Sequence, residues 1–213
     1  MQNIKDYKEV IGAKLKDIDI ALLFLNAGVG QMGLFADLDE KSVEEMMKVN
    51  ALHPMYLAKA LLPQMLSRGK KSAIIVTSSF LGQRPLGGAS IVYSATKSLA
   101  RFLAIGLSYE LDKKIDVLAW DCGEVATKHS GKKEGFNVLE DLEVCRGTFP
   151  HIGRDRVTNG HPVHHMFNTW IGWVPLGMLN KISVKYGESA LKKQRKIAAK
   201  AAKKEAEQDK KIN

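Results

Sequence analysis

Cysteine is scarce in this 213-residue chain. The two that occur, Cys122 and Cys145, stand far apart, with no CxxC pair. That excludes a zinc knuckle or a disulfide framework, and it reads as two small buried thiols in a reducing compartment. Long apolar runs are missing too. No stretch reaches the roughly 18 apolar residues of a bilayer-crossing helix. The start, Met1-Gln2-Asn3-Ile4-Lys5, shows no secretory signal and opens straight into an amphipathic pattern. No internal repeat is present. His161, His164 and His165 match no metal-site spacing and have no carboxylate cluster beside them, so no metal is expected.

What is there is ordinary for a folded domain: 45% hydrophobic and 26% charged residues. The net charge of +9 is unevenly placed. Nine Lys or Arg and three acids fall between Lys192 and Lys211, so most of the excess sits in one C-terminal tail. A nucleic-acid binder spreads basic residues over a folded face, interleaved with aromatics. The expectation is therefore no nucleic-acid partner.

Apolar spacing of three and four predicts a helix over 3–17. Ile18 to Leu25 is a nearly continuous apolar run, typical of a strand buried on both faces of a parallel sheet. Two helical pieces follow, Asp39 to Val49 and His53 to Leu66. Strands are predicted at Ser72 to Ser79 and Ile115 to Asp121, with a long helix over 90–112 between them. Residues 124–150 read as a loop with one short helix around Glu140. Val157 to His164 is a last candidate strand. Residues 166–180 are apolar and Trp-rich, and 183–209 form a basic helix. Alternation of this kind means an α/β fold, a doubly wound parallel sheet.

Ligands of open α/β sheets bind at the carboxyl ends of the strands. Those ends hold Asn26-Ala27-Gly28, Ser78-Ser79 and Cys122-Gly123. Tyr93 and Lys97 follow, four apart and so on one helix face. A free tyrosine has a pKa of about 10, too high for efficient proton transfer near neutrality. An ammonium one turn away is expected to lower it. Asn50, at the break between the two helical pieces, is placed to anchor a water. The spacing of Tyr93 and Lys97 alone arises often by chance, and the ordered set of strand ends is what gives it meaning. Gly28-Val29-Gly30-Gln31-Met32-Gly33 has the GxGxxG form. A dinucleotide fingerprint needs a helix beginning inside it, whereas Leu34 to Leu38 intervene, so it reads as a substrate-side loop.

This order resembles the short-chain dehydrogenase/reductase family over roughly residues 1–130. The family's NNAG strand end reads LNAG at 25–28, its catalytic Asn is Asn50, its YxxxK is Tyr93/Lys97, and its PGxxxT segment is CGEVAT at 122–127. Leu25 and Cys122 depart from that pattern, and the serine is Ser79 or Ser78. The resemblance implies a Rossmann-like domain over 1–165, lacking its first βαβαβ unit and the TGxxxGxG fingerprint. A C-terminal segment, 166–213, follows. It also implies catalysis by Asn50, Ser79, Tyr93 and Lys97. NADP(H), with NAD as the alternative, would be held by Asn26, Ala27, Gly28, Tyr93, Lys97, Gly123, Val125 and Thr127. Nucleotide binding by these residues alone is expected to be weak. The family usually dimerises through the helices at 39–67 and 90–112.

Arg156-Val157-Thr158-Asn159-Gly160 and the apolar stretch after it resemble the very-long-chain 3-oxoacyl-CoA reductase and 17β-hydroxysteroid dehydrogenase branch. The implied substrate is a lipid, either an acyl-CoA or a steroid. A non-catalytic binding subunit is the reading from another class. Met166 to Leu179 is too short to span a membrane. Its Trp170 and Trp173 and the basic helix suit a membrane surface or, equally, a helix packed on the core. Lys210-Lys211-Ile212-Asn213 has the form of a dilysine retrieval signal, which with the resemblance implies the cytosolic face of the endoplasmic reticulum; a cytoplasmic location is the alternative.

Overall fold

A computed structural model describes residues 4–86, 90–127, 130, 134–189 and 192 of the chain. Four strands, β1 (Leu22–Leu25), β2 (Ala73–Thr77), β3 (Asp116–Trp120) and a short β6 (Val157–Thr158), form one parallel sheet in the order β1-β2-β3-β6. Between β3 and β6, β4 (Glu124–Ala126) and β5 (Val138–Glu140) pair in parallel as a separate ribbon. This ribbon lies in the stretch expected to be loop. Its strands have three residues each, too short to leave a periodic signature. The short helix expected there is Asp141–Thr148.

The helices form two layers around the sheet. On one face Leu23, Leu25, Ile74, Val76, Val117 and Ala119 pack with Ala58, Leu61 and Met65 of the helix over 40–67 and with Ala100 and Ala104 of the long helix Ile91–Glu110. On the other face Ile75, Leu118 and Trp120 pack with Leu139 and Val144. Each fully buried aliphatic side chain contributes about 1.5–3 kcal/mol, so the central strands dominate stability.

Three expectations need correction. The strand β1 is not buried on both faces: Leu22 and Phe24 are 53% and 45% exposed, because the second layer does not reach them. The helix over 40–67 does not break. It runs through a π-helical turn, Met47–Leu52, between α-helical Glu40–Met46 and His53–Ser67. Pro54 has no N–H to offer the carbonyl four residues back, and the wider turn accommodates that. Finally, β6 ends at Thr158, and a helix, Pro162–Trp173, begins before 166. His161 caps it, accepting from the Val163 N–H at 3.2 Å, and Pro162 suits the first turn. A second helical stretch covers 176–189. The rest of the basic tail, with Lys210 to Asn213, lies outside the described residues.

Candidate active site at the strand ends

The π turn places Asn50 inward, where it is buried beneath the loop after β1. Asn50 Oδ1 accepts from the Val29 N–H at 2.8 Å, and its Nδ2 donates to the Val29 carbonyl at 2.8 Å. Nδ2 also lies 3.1 Å from Thr96 Oγ1, whose hydroxyl donates to the Tyr93 carbonyl at 2.8 Å. One amide thus fixes the glycine loop to the long helix. That loop starts no helix, so it is no dinucleotide fingerprint. Its glycines instead lie against the site. A Cβ on Gly28 would meet Lys97 Nζ at 3.1 Å and Asn50 Oδ1 at 3.5 Å, and one on Gly30 would meet the Tyr93 ring at 3.4 Å. Asn26 Oδ1 accepts from Thr77 Oγ1 at 2.8 Å, tying the ends of β1 and β2 together, while Ala27 is exposed between them.

The two serines after β2 face different ways. Ser78 Oγ donates to the Lys97 carbonyl at 2.8 Å and serves the backbone. Ser79 is hydrogen-bonded to the Tyr93 phenol and caps the following turn through the Leu81 N–H at 3.3 Å. Lys97 Nζ donates to the Thr77 carbonyl at 2.9 Å and lies 5.7 Å from the centroid of the Tyr93 ring. Asn50, Ser79, Tyr93 and Lys97 therefore meet in one place.

Electrostatically the site departs from the sequence expectation. Burial pushes Tyr93 up to about 12, against the downward pull of its hydrogen bond to Ser79. Burial also pulls Lys97 down to about 8. The ammonium points to Thr77 and does not bring the phenol down. Desolvation outweighs the helix-turn pairing. Tyr93 is thus a protonated donor at neutral pH. Cys122, which replaces the expected proline, is part of the same environment, and burial pushes its thiol up to about 12.

The remaining expected residues are less central. Gly123 is pressed against His164: a Cβ there would come within 2.6 Å of the imidazole. Val125 packs against the second core layer. Thr127 is exposed and exchanges hydrogen bonds with Ser130, at 3.1 Å in each direction. Sequence reasoning missed Thr77 and Thr96, although Thr96 falls three residues after Tyr93 on the same helix. It also missed Asp121. This fully buried carboxylate accepts from Arg101 Nε at 2.8 Å and Gln83 Nε2 at 2.9 Å. Arg101 is one turn beyond Lys97, a spacing visible in the sequence.

The short chain dehydrogenase family model matches residues 1–136. A very-long-chain 3-oxoacyl-CoA reductase from Bos taurus is 28% identical over 191 residues, covering 87% of this chain and 61% of its own length. The chain spans about half to three fifths of the length of several such curated relatives. Among solved structures, the bulky-bulky ketone specific alcohol dehydrogenase from Comamonas testosteroni is 29% identical with a TM-score of 0.63, covering 81% of this chain and 67% of that one. A structure from work on 7beta-hydroxysteroid dehydrogenase stereoselectivity has a TM-score of 0.70 at 17% identity, covering 84% and 71% respectively, a likeness of fold.

Proposed function

Because the chain belongs to the short chain dehydrogenase family, we propose that it carries the catalytic side chains of a ketone reductase whose substrate is a 3-oxoacyl-CoA of very-long-chain fatty acid elongation. The observation that supports this most is the cluster of Ser79, Tyr93, Lys97 and Asn50 at the ends of β1 and β2. Ser79, already bonded to the phenol, orients the substrate carbonyl. Tyr93 holds its proton at neutral pH and donates it to the developing alkoxide. Lys97 uses one hydrogen on Thr77, leaving two donors for a pair of vicinal hydroxyls. Asn50 holds the glycine loop at the distance that leaves room beside Lys97.

These residues fit a nicotinamide riboside: the Gly28 and Gly30 cradle is one that a Cβ would fill. When bound, NADPH (NADH is the alternative) supplies the hydride. Asn26, Gly28, Lys97 and Gly123 are assigned to holding it, and Thr127 to its carboxamide side. Substituting Tyr93→Phe tests the reading. The rate of NADPH oxidation with a 3-oxoacyl-CoA is expected to fall by about 10²–10⁴-fold. An unchanged rate overturns it in favour of a binding subunit, and a faster wild-type rate with a ketosteroid reassigns the substrate.

The same reading places the protein at the surface of the endoplasmic reticulum membrane. Trp173 is 79% exposed, and a helical stretch carrying Lys181 and Lys185 follows it. Among the described residues no helix is long and apolar enough to cross a membrane. Deletion of 166–213 is expected to release the protein from membrane fractions; retention there overturns this assignment. A homodimer through the helices at 40–67 and 91–110 fits the exposed Phe102 on their outer side.

A further inference from the structure

Ser79, which meets the Tyr93 phenol, stands outside the sheet, at the head of a short helical turn, Phe80–Gln83. A single turn has little stability of its own, so its place is set by what holds it. The Gly82 N–H closes the turn on the Ser79 carbonyl at 2.8 Å. Ser98 Oγ, from the long helix Ile91–Glu110, donates to the Gly82 carbonyl at 2.6 Å. The Phe80 N–H donates to the Cys122 carbonyl at 3.3 Å. The far end of the turn is held by a side chain, that of Gln83.

Gln83 bridges two elements. Its Nε2 donates to Asp121 Oδ2 at 2.9 Å, just past β3, and its Oε1 accepts from Asn168 Nδ2 at 3.1 Å, on the helix Pro162–Trp173. Asp121 is a fixed anchor. It is fully buried, and Arg101 Nε donates to the same oxygen at 2.8 Å. Its own N–H donates to the Thr158 carbonyl at 2.8 Å, and its carbonyl accepts from Asn159 Nδ2 at 3.0 Å. Beside Asn168 on the helix, the Phe167 ring meets that of Phe80 edge to face, with centroids 6.1 Å apart. The first and last residues of the turn thus lean on one helix. A buried ion pair adds little stability over apolar packing. What Asp121 and Arg101 supply is an acceptor held in one place.

We propose that Gln83 is the positioning residue of Ser79: anchored on Asp121 and Asn168, it keeps the serine hydroxyl against the Tyr93 phenol. The helix Pro162–Trp173 is then part of the support of the site, through Asn168 and Phe167, and not an appendage to it. Gln83 acts through Ser79 and touches no substrate. The inference rests on the reading of Ser79 and Tyr93 as the reacting pair.

Fluorine NMR of the full chain labelled with 3-fluorotyrosine tests it. The Tyr93 resonance is assigned by its loss in Tyr93→Phe, and its shift at neutral pH reads the hydrogen bond to the phenol. Ser79→Ala is expected to move it. Gln83→Leu, which keeps the bulk and removes the amide, is expected to move it the same way by part of that shift. The double variant Ser79→Ala with Gln83→Leu is expected to match Ser79→Ala alone, because the second change has no hydroxyl left to misplace. Asn168→Leu, one bond further out, gives the same readout with a smaller shift even if Gln83→Leu fails to fold. A Tyr93 resonance unmoved by Ser79→Ala, or moved by it but by neither Gln83→Leu nor Asn168→Leu, overturns the proposal. So do additive shifts in the double variant, which would make Gln83 a general structural residue. The readout needs no turnover, so a failure of the catalytic reading, seen as an unchanged rate in Tyr93→Phe, remains distinguishable. In the rate assay Gln83→Leu is expected to lower kcat by about ten-fold and leave KM, the mark of misplaced groups. A raised KM at wild-type kcat would make Gln83 a substrate-binding residue and overturns its positioning role.

Discussion

Phe24 of β1 and Ile75 of β2 are partners across the same ladder and point to the same face of the sheet. Ile75 is 1% exposed and Phe24 is 45% exposed. Both strands are largely apolar, LLFL against AIIVT, so hydrophobicity alone does not decide burial. The second layer does. Leu139 and Val144 cover Ile75 and Leu118, whereas Phe24 meets the ring of Phe149, itself half exposed, at 6.1 Å. On the opposite face Leu23 and Leu25 are buried like the central strands. The cluster of Asn50, Ser79, Tyr93 and Lys97 stands at the carboxyl end of the well-covered part, where packing fixes side-chain positions, and the loop from the exposed strand is held to it by hydrogen bonds between Asn50 and Val29.

The largest expected effect tests that asymmetry directly. Ile75→Ala removes a side chain from the covered face and should lower unfolding free energy by about 2–5 kcal/mol. Its ladder partner changed in the same way, Phe24→Ala, should cost under about 1 kcal/mol. Denaturant titration of both variants checks this. Equal losses would mean that Phe24 is as well covered in solution as Ile75.

A smaller effect is expected at Gly123, where β3 hands over to the ribbon. A Cβ there would overlap the His164 imidazole at 2.6 Å. Gly123→Ala should therefore cost about 1–3 kcal/mol, the usual range for overpacking. Gly106, in the long helix, has nothing within 4 Å of an added Cβ. Gly106→Ala should stabilise by up to about 1 kcal/mol through helix propensity. Thermal melts of the pair separate close packing at the covered end from an open helix surface; a neutral Gly123→Ala would show that the imidazole swings away freely.

The comparison also explains what was legible in the sequence. The central strands were readable because burial on two faces leaves a continuous apolar run. Tyr93 and Lys97 were readable because a spacing of four fixes a helix face whatever surrounds it. The π turn around Asn50 was not, since a shifted hydrogen-bond ladder leaves no trace in residue type. The ribbon of β4 and β5 was too short for periodicity. Pro162 was a legible start signal for its helix, but the apolar stretch beginning at Met166 drew the boundary later. The direction of the Tyr93 shift depends on depth of burial, and spacing along a helix carries no information about depth. Asp121 looks in the sequence like the polar end of a strand. Only the fold brings Arg101 and Gln83 to it.

The smallest expected effect lies in pH, and it again separates the covered region from the rest. Burial lowers the pKa of His164 below its ordinary 6.5, so the folded state keeps the ring neutral there. The unfolded chain takes up that proton first as pH falls. Stability contributed by the neutral ring is therefore fully present above 6.5 and is lost progressively as pH drops toward the folded value. His53, hydrogen-bonded to Tyr7, is lowered for the same reason and adds to the slope. Asp121 works against them: burial raises its carboxyl, so the folded state gains that proton before the unfolded chain does, and acidification relieves a buried charge. Unfolding free energy should thus fall as pH drops below 6.5, and His164→Gln should flatten part of that fall, while Asp121→Asn removes the opposing gain and leaves the acid side steeper. A His164→Gln slope identical to wild type would place the imidazole in solvent and open the covered end of β3 to the same exposure that Phe24 shows on β1.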